Sequence, residues 1–123
     1  MKKTILILWL AISLSSISAA DTIILVADKW CPYNCTPETE RPGFLVEIAR
    51  RAFELAGHKL EYRLMPWKRA VTEAKRGNVN GIIGFGLKSS THKRDVTIIS
   101  AGIQSLQDSG EYDKIMDQYG LRH

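Results

Sequence analysis

The sequence has few of the residues that most often mark catalytic or metal sites. Its three histidines, His58, His92 and His123, share no motif with a nucleophile or a set of metal ligands. Only two cysteines are present, which is too few for a tetrahedral site built from cysteine alone. We therefore expect neither an enzyme nor a bound cofactor or metal.

The sequence also lacks a strong excess of charge of one sign. It carries 17 basic and 13 acidic side chains, and setting aside Lys2 and Lys3 leaves 15 basic against 13. A nucleic-acid-binding surface needs lysine and arginine clustered on one face. Nucleic acid is therefore not expected among the partners, and the chain length suits one small domain.

No apolar run is long enough to span a bilayer, which takes about 20 residues. The longest such run, Ile5–Leu14, follows two lysines and precedes small residues at positions 18–20. This order predicts a cleaved signal peptide over residues 1–20, with an uncleaved anchor as the weaker alternative. We expect no stable membrane anchor and a periplasmic or secreted mature chain over residues 21–123.

The two cysteines, Cys31 and Cys35, lie close together in a chain expected to be exported, which favours a disulfide. Two free thiols, or a metal pair without further ligands, remain the alternatives. The Trp-Cys-Pro-Tyr-x-Cys run also suggests a thioredoxin-like redox motif. The spacing argues against it, because Asn34 adds a third intervening residue and the next helix begins well after Cys35.

The pattern of apolar residues predicts alternating strands and helices. An apolar strand is expected over residues 22–27, an amphipathic helix over 43–56 and an alternating strand over 59–65. A helix starting at Pro66 and ending near Gly77 leads to a third strand over 81–85. The order predicts an α/β fold with about three parallel strands in the order 2-1-3, flanked by about four helices.

The tail predicts the last two helices. One apolar stripe comprises Val96, Ile99, Ile103 and Leu106, and a second comprises Tyr112, Ile115, Met116 and Tyr119. Asp108, with Glu111 three residues on, is expected to cap the second helix. We expect residues 21–86 to form the core of the lobe and the helices of residues 91–120 to cover one face of its sheet.

Candidate ligand-binding residues follow the predicted strands, because parallel sheets bind ligands at the carboxyl ends of their strands. These residues are Trp30, Tyr33, Trp67, Arg69 and Phe85. The aromatic rings could stack on a ligand, and an arginine can hold a carboxylate through two hydrogen bonds. The alternatives are that Trp67 only packs its helix on the sheet and that Arg69 is an ordinary surface charge.

Several of these motifs together resemble bacterial extracellular solute-binding proteins of family 3. They are the Trp-x-Pro-Tyr loop, the Gly-Phe-x-x-Glu helix start, Pro-Trp-x-Arg-Ala, and Gly-x-x-x-Gly-Ile-Ile-Gly. The resemblance implies one lobe of a periplasmic-binding-protein-like type II fold. It also implies a small polar solute such as an amino acid as ligand and an ABC permease as partner.

The sequence departs from the family in its middle. Family members are about twice as long, and the last part of lobe one, the hinge and lobe two have no counterpart after Phe85-Gly86. Residues 87–91 join the third strand directly to the tail helices, and Asn80 stands where the family often has aspartate. We therefore expect a truncated lobe with weak ligand capture. The alternative is a periplasmic interaction or sensory module that binds a protein partner or associates with itself.

Overall fold

A computed structural model describes residues 21–83 and 93–121 of the chain. The described residues form three strands and four helices. In chain order these are β1 (Thr22–Ala27), α1 (Phe44–Leu55), β2 (Lys59–Leu64), α2 (Trp67–Lys75), β3 (Gly81–Ile82), α3 (Lys93–Ser109) and α4 (Glu111–Gln118). The predicted signal peptide, Phe85, and the side chain of Val96 lie outside the described residues.

The three strands form one parallel sheet in the order β2-β1-β3, as the sequence predicts. β1 pairs with β2 from Thr22 opposite Lys59 to Ala27 opposite Leu64, and Val26 lies opposite Ile82 on the other side. β2 ends at Leu64, one residue before the predicted end, but the amide of Met65 still donates to the Ala27 carbonyl oxygen at 2.9 Å.

β1 is buried on both faces, which explains its unbroken apolar sequence. α1 packs on one face of the sheet, α3 and α4 pack on α1, and the core that these elements share includes Ile23, Leu25 and Ala27. The opposite face is covered by α2 and carries a smaller cluster around Val26. Successive side chains of a strand point to opposite faces, so β1 contributes to both layers.

The tail helices pack on α1, whereas the sequence predicts that they cover a face of the sheet. Ile99, Leu106 and Met116 are buried in the same core as α1. α3 lies close to α1 at Gly102, where an added Cβ atom would lie 2.5 Å from the Cβ atom of Ala52. Glycine at this position therefore lets the two helix backbones approach each other.

The predicted cap of α4 is wrong. Asp108 lies within α3, and its carboxylate accepts a hydrogen bond from Gln104 at 3.0 Å. α4 instead begins after Gly110, whose φ of 77° lets the chain turn sharply between the helices. The Glu111 carboxylate pairs with Arg51 of α1 at 2.5 Å, so it is not part of a capping box.

Candidate functional site

The loop after β1 forms a tight turn between Trp30 and Asn34. The Trp30 amide donates to the Asn34 carbonyl oxygen at 2.7 Å, and the Asn34 amide donates to the Trp30 carbonyl oxygen at 2.9 Å. The predicted disulfide joins Cys31 to Cys35, with their Cα atoms 4.9 Å apart. The peptide bond between Cys31 and Pro32 is cis. Backbone pairing and a covalent bond therefore both close this turn.

The first amides of α1 hold the same turn from outside. The Phe44 amide donates to the Pro32 carbonyl oxygen and the Leu45 amide donates to the Tyr33 carbonyl oxygen, each at 3.0 Å. Gly43, at the helix N-cap, has a φ of 118°, and a Cβ atom there would overlap the Tyr33 carbonyl oxygen. Only glycine allows the turn to lie this close to the helix.

Two polar residues that hold the loop, Asn34 within it and Tyr62 on β2, were not singled out from the sequence as parts of the site. Asn34 is 1% exposed, and its Nδ2 donates to the Asp28 carbonyl oxygen. The Tyr62 hydroxyl, on β2, donates to the Cys35 carbonyl oxygen at 2.7 Å. Burial, and secondarily the negative charge of Asp28, raise the pKa of Tyr62 to about 12. The inward alternation of β2 was the available signal, since a buried tyrosine hydroxyl usually finds a partner.

Trp30 and Tyr33 are exposed aromatic residues of the loop. Their ring centroids are 4.6 Å apart in a stacked arrangement, and the two residues are 52% and 38% exposed. Tyr33 packs against Phe44 at 5.1 Å, and Phe44 meets the edge of Tyr119 at 6.1 Å. We call these four residues the aromatic row, which runs from the exposed loop to the turn after α4.

Trp67 and Arg69 both lie in the first turn of α2, which follows β2. Trp67 is 39% exposed and Arg69 is exposed. The hydrogen bond from Met65 to Ala27 aligns the ends of β1 and β2, so α2 and the aromatic loop leave the sheet at the same edge. Among the side chains of residues 21–83 and 97–121, no ion pair engages Arg69. Its guanidinium can therefore meet a ligand without first breaking an ion pair in this part of the chain.

A separate groove lies between α1 and α4. Its volume is about 260 Å³, and it is lined by Glu47, Arg50, Arg51, Glu54, Glu111, Ile115 and Gln118. The hydrogen bond with Glu111, and after it the charge of that carboxylate, raises the pKa of Arg51. None of the predicted site residues lines this groove, in which Arg51 pairs with both Glu54 and Glu111.

The described residues contain no group of histidine, cysteine and carboxylate side chains that could hold a metal ion. In the same part of the chain, no helix combines the length and the apolar character needed to cross a membrane. No protein-family model matches the sequence, and no curated protein matches it. The resemblance to solute-binding proteins therefore stays a prediction.

Proposed function

We propose that this chain is a solute-binding lobe that takes up a small polar solute, such as an amino acid, at the carboxyl edge of its sheet. The observation that carries the proposal is the exposed Trp30–Tyr33 stack, which the disulfide and α1 hold beside that edge. Parallel sheets bind ligands at this edge. The lobe would act after export, delivering its solute to an ABC permease.

The loop after β1 and the helix after β2 would contact different parts of the ligand. Trp30 and Tyr33 offer ring faces, while Arg69 offers a planar fork for a carboxylate from the neighbouring helix. An exposed ion pair contributes about 1 kcal/mol or less, and ring contacts add roughly 1–2 kcal/mol. After the costs of immobilising the ligand, we expect binding in the millimolar range at best.

The expected weakness has a structural reason. A two-lobed receptor closes around its solute by hinge motion. Only residues 83–92 separate β3 from α3 in this sequence, which is too short a stretch for a second lobe to be inserted there. A lobe acting alone leaves one side of the solute in water, whereas pockets usually enclose most of their ligand.

An NMR titration of the mature chain against a panel of amino acids tests this proposal. We expect fast-exchange shifts at the Trp30 and Trp67 indoles, and we expect Arg69→Ala to weaken them. Lys68→Ala is the matched control, because it removes the same charge from the same exposed helical turn. Equal effects of both variants would show that Arg69 contributes only its positive charge and makes no specific contact with the solute. Absence of shifts with every solute would reject the proposal.

The second candidate is an interaction module that binds a protein partner or a second copy of the chain. The observation in its favour is that Trp30, Tyr33 and Trp67 are all large apolar side chains exposed to solvent. Exposed apolar patches often mark interaction surfaces. Light scattering across a concentration series distinguishes the candidates. A dimer that is lost in Trp30→Ala, together with no solute response, would favour this second function.

A further inference from the structure

Tyr119 makes a long-range contact with the start of α1. Its hydroxyl oxygen accepts a hydrogen bond from the Gly43 amide at 3.0 Å, across 76 positions of sequence. Gly43 is buried and directly precedes Phe44 and Leu45, whose amides hold the aromatic loop. The Tyr119 hydroxyl therefore holds Gly43 in place, directly before the two residues whose amides bind the loop.

A second connection runs through the rings. Tyr119 meets Phe44 edge-on at 6.1 Å, Phe44 packs against Tyr33 at 5.1 Å, and Tyr33 stacks on Trp30 at 4.6 Å. Interiors packed in this way transmit small displacements, because few voids are available to absorb them. The backbone connection and the ring connection both begin at Tyr119 and both end at the exposed stack.

The environment of the hydroxyl keeps it protonated. Burial, followed by hydrogen bonding to the Glu47 carboxylate, raises the pKa of Tyr119 to about 12. The Gly43 amide acts in the opposite direction, and so does the charge of Arg41. Because the oxygen accepts from Gly43, its own proton is free to face Glu47, and the contact persists across the neutral pH range.

We infer that Tyr119, in the turn after α4, is a positioning residue for the Trp30–Tyr33 ligand surface. This role deepens the proposed solute-binding function and rests on it. Tyr119 is separated from the exposed stack by Phe44, and it acts on the stack by holding Gly43 and Phe44 in place. The helical tail thus helps to set the geometry of the loop at the sheet edge.

Tyr119→Phe tests the inference, because it keeps the ring and removes only the hydroxyl. Tyr112→Phe is the matched control, since Tyr112 is a partly buried tyrosine of α4 packed against the same core. Indole resonances, assigned with Trp67→Phe, report on Trp30, and hydrogen exchange reports on the amides of residues 43–45. Circular dichroism confirms that each variant is folded.

In Tyr119→Phe we expect the Trp30 indole resonance to shift and the exchange of the Gly43 amide to accelerate by up to about tenfold. The Trp67 resonance should stay in place, and Tyr112→Phe should leave both indoles unchanged. Solute binding should weaken by several-fold in Tyr119→Phe alone. Faster exchange at Gly43 with an unmoved Trp30 resonance would show that Tyr119 only stabilises the start of α1, and it would overturn the inference. Equal shifts of the Trp30 resonance in Tyr112→Phe would also overturn it.

The two proposals can fail separately. If the wild-type chain binds no solute from the panel, the proposed function fails, while the Trp30 resonance still shows whether Tyr119 positions the stack. If the wild-type chain binds solute and Tyr119→Phe binds it equally well with an unmoved Trp30, the positioning role fails alone.

Discussion

The side chain of Tyr62 and the backbone of Cys35 are joined by a 2.7 Å hydrogen bond that ties the aromatic loop to the sheet. Tyr62 lies in β2 opposite Leu25 of β1, and 7% of its surface is exposed. The Cys35 amide donates in turn to the Pro42 carbonyl oxygen at 2.6 Å. Hydrogen bonds to β2 and to the segment before α1 therefore hold Cys35, one end of the disulfide, in place.

The first prediction concerns this bond. Tyr62→Phe should lower the free energy of unfolding by about 1 kcal/mol, because it leaves the Cys35 carbonyl oxygen without its donor. Urea denaturation measures the change. Tyr33→Phe is the control, since Tyr33 is partly exposed and its hydroxyl can be solvated; its effect should be near zero. Equal losses in both variants would show that the bond to Cys35 is not the cause.

The second prediction concerns the approach of α3 to α1. Gly102→Ala should destabilise the chain by about 1–3 kcal/mol, because the new methyl group would force Ala52 and its helix away. The sign is informative, since replacing glycine by alanine within a helix otherwise stabilises it by up to about 1 kcal/mol. Thermal unfolding measures the effect. Ser105→Ala, at an exposed position of the same helix, should leave stability unchanged or raise it.

The third prediction concerns Asn34, which begins an Asn-Cys-Thr glycosylation sequon. Its side chain is 1% exposed and bonded to the Asp28 carbonyl oxygen, so the folded chain should not accept a glycan there. Asn34→Ala should cost about 1–3 kcal/mol of stability. Asn78→Ala, which removes an exposed bond to Glu73, should cost far less. Efficient glycosylation of the folded protein at Asn34 would contradict the buried position.

The fourth prediction concerns alkaline pH. Burial is the main reason that the pKa values of Tyr62 and Tyr119 rise from 10.0 to about 12. In the unfolded chain both lose their protons near pH 10, so their contribution to stability is complete below pH 10 and is lost as the pH rises toward 12. Urea denaturation over this range should show the decline. The stability difference between wild type and Tyr62→Phe should be constant below pH 10 and shrink above it.

Much of the fold could be predicted because its local signals agree. The unbroken apolar run of β1 fits a strand buried on both faces, and the alternation of β2 fits an edge strand. Pro66 directly precedes α2 and Gly77 follows its C-cap, close to the predicted start and end of that helix. The right-handed crossover of parallel strands then leaves few arrangements, and the order β2-β1-β3 is among them.

The failures concern contacts between residues far apart in sequence. Asp108 fits the pattern of a cap, but α3 continues past it to Ser109, and Glu111 is instead engaged by Arg51, 60 positions away. Residues 34 and 62 were likewise overlooked as loop supports, because their partners are backbone carbonyl groups of the loop. The disulfide could be predicted from two cysteines close together in a chain expected to be exported. The place of Trp30 and Tyr33 after β1 followed from the predicted strand.

The apolar cluster beneath α2 is small, and this affects how firmly Trp67 and Arg69 are held. Of the nine residues of α2, only Ala70 and Ala74 are buried, and they rest on a few side chains around Val26. Burying such small side chains secures a helix weakly, so α2 should open locally at a lower free energy than the helices over the larger core. Trp67 and Arg69 would therefore be adaptable contacts, able to adjust to solutes of different shape, beside a loop that is held rigid.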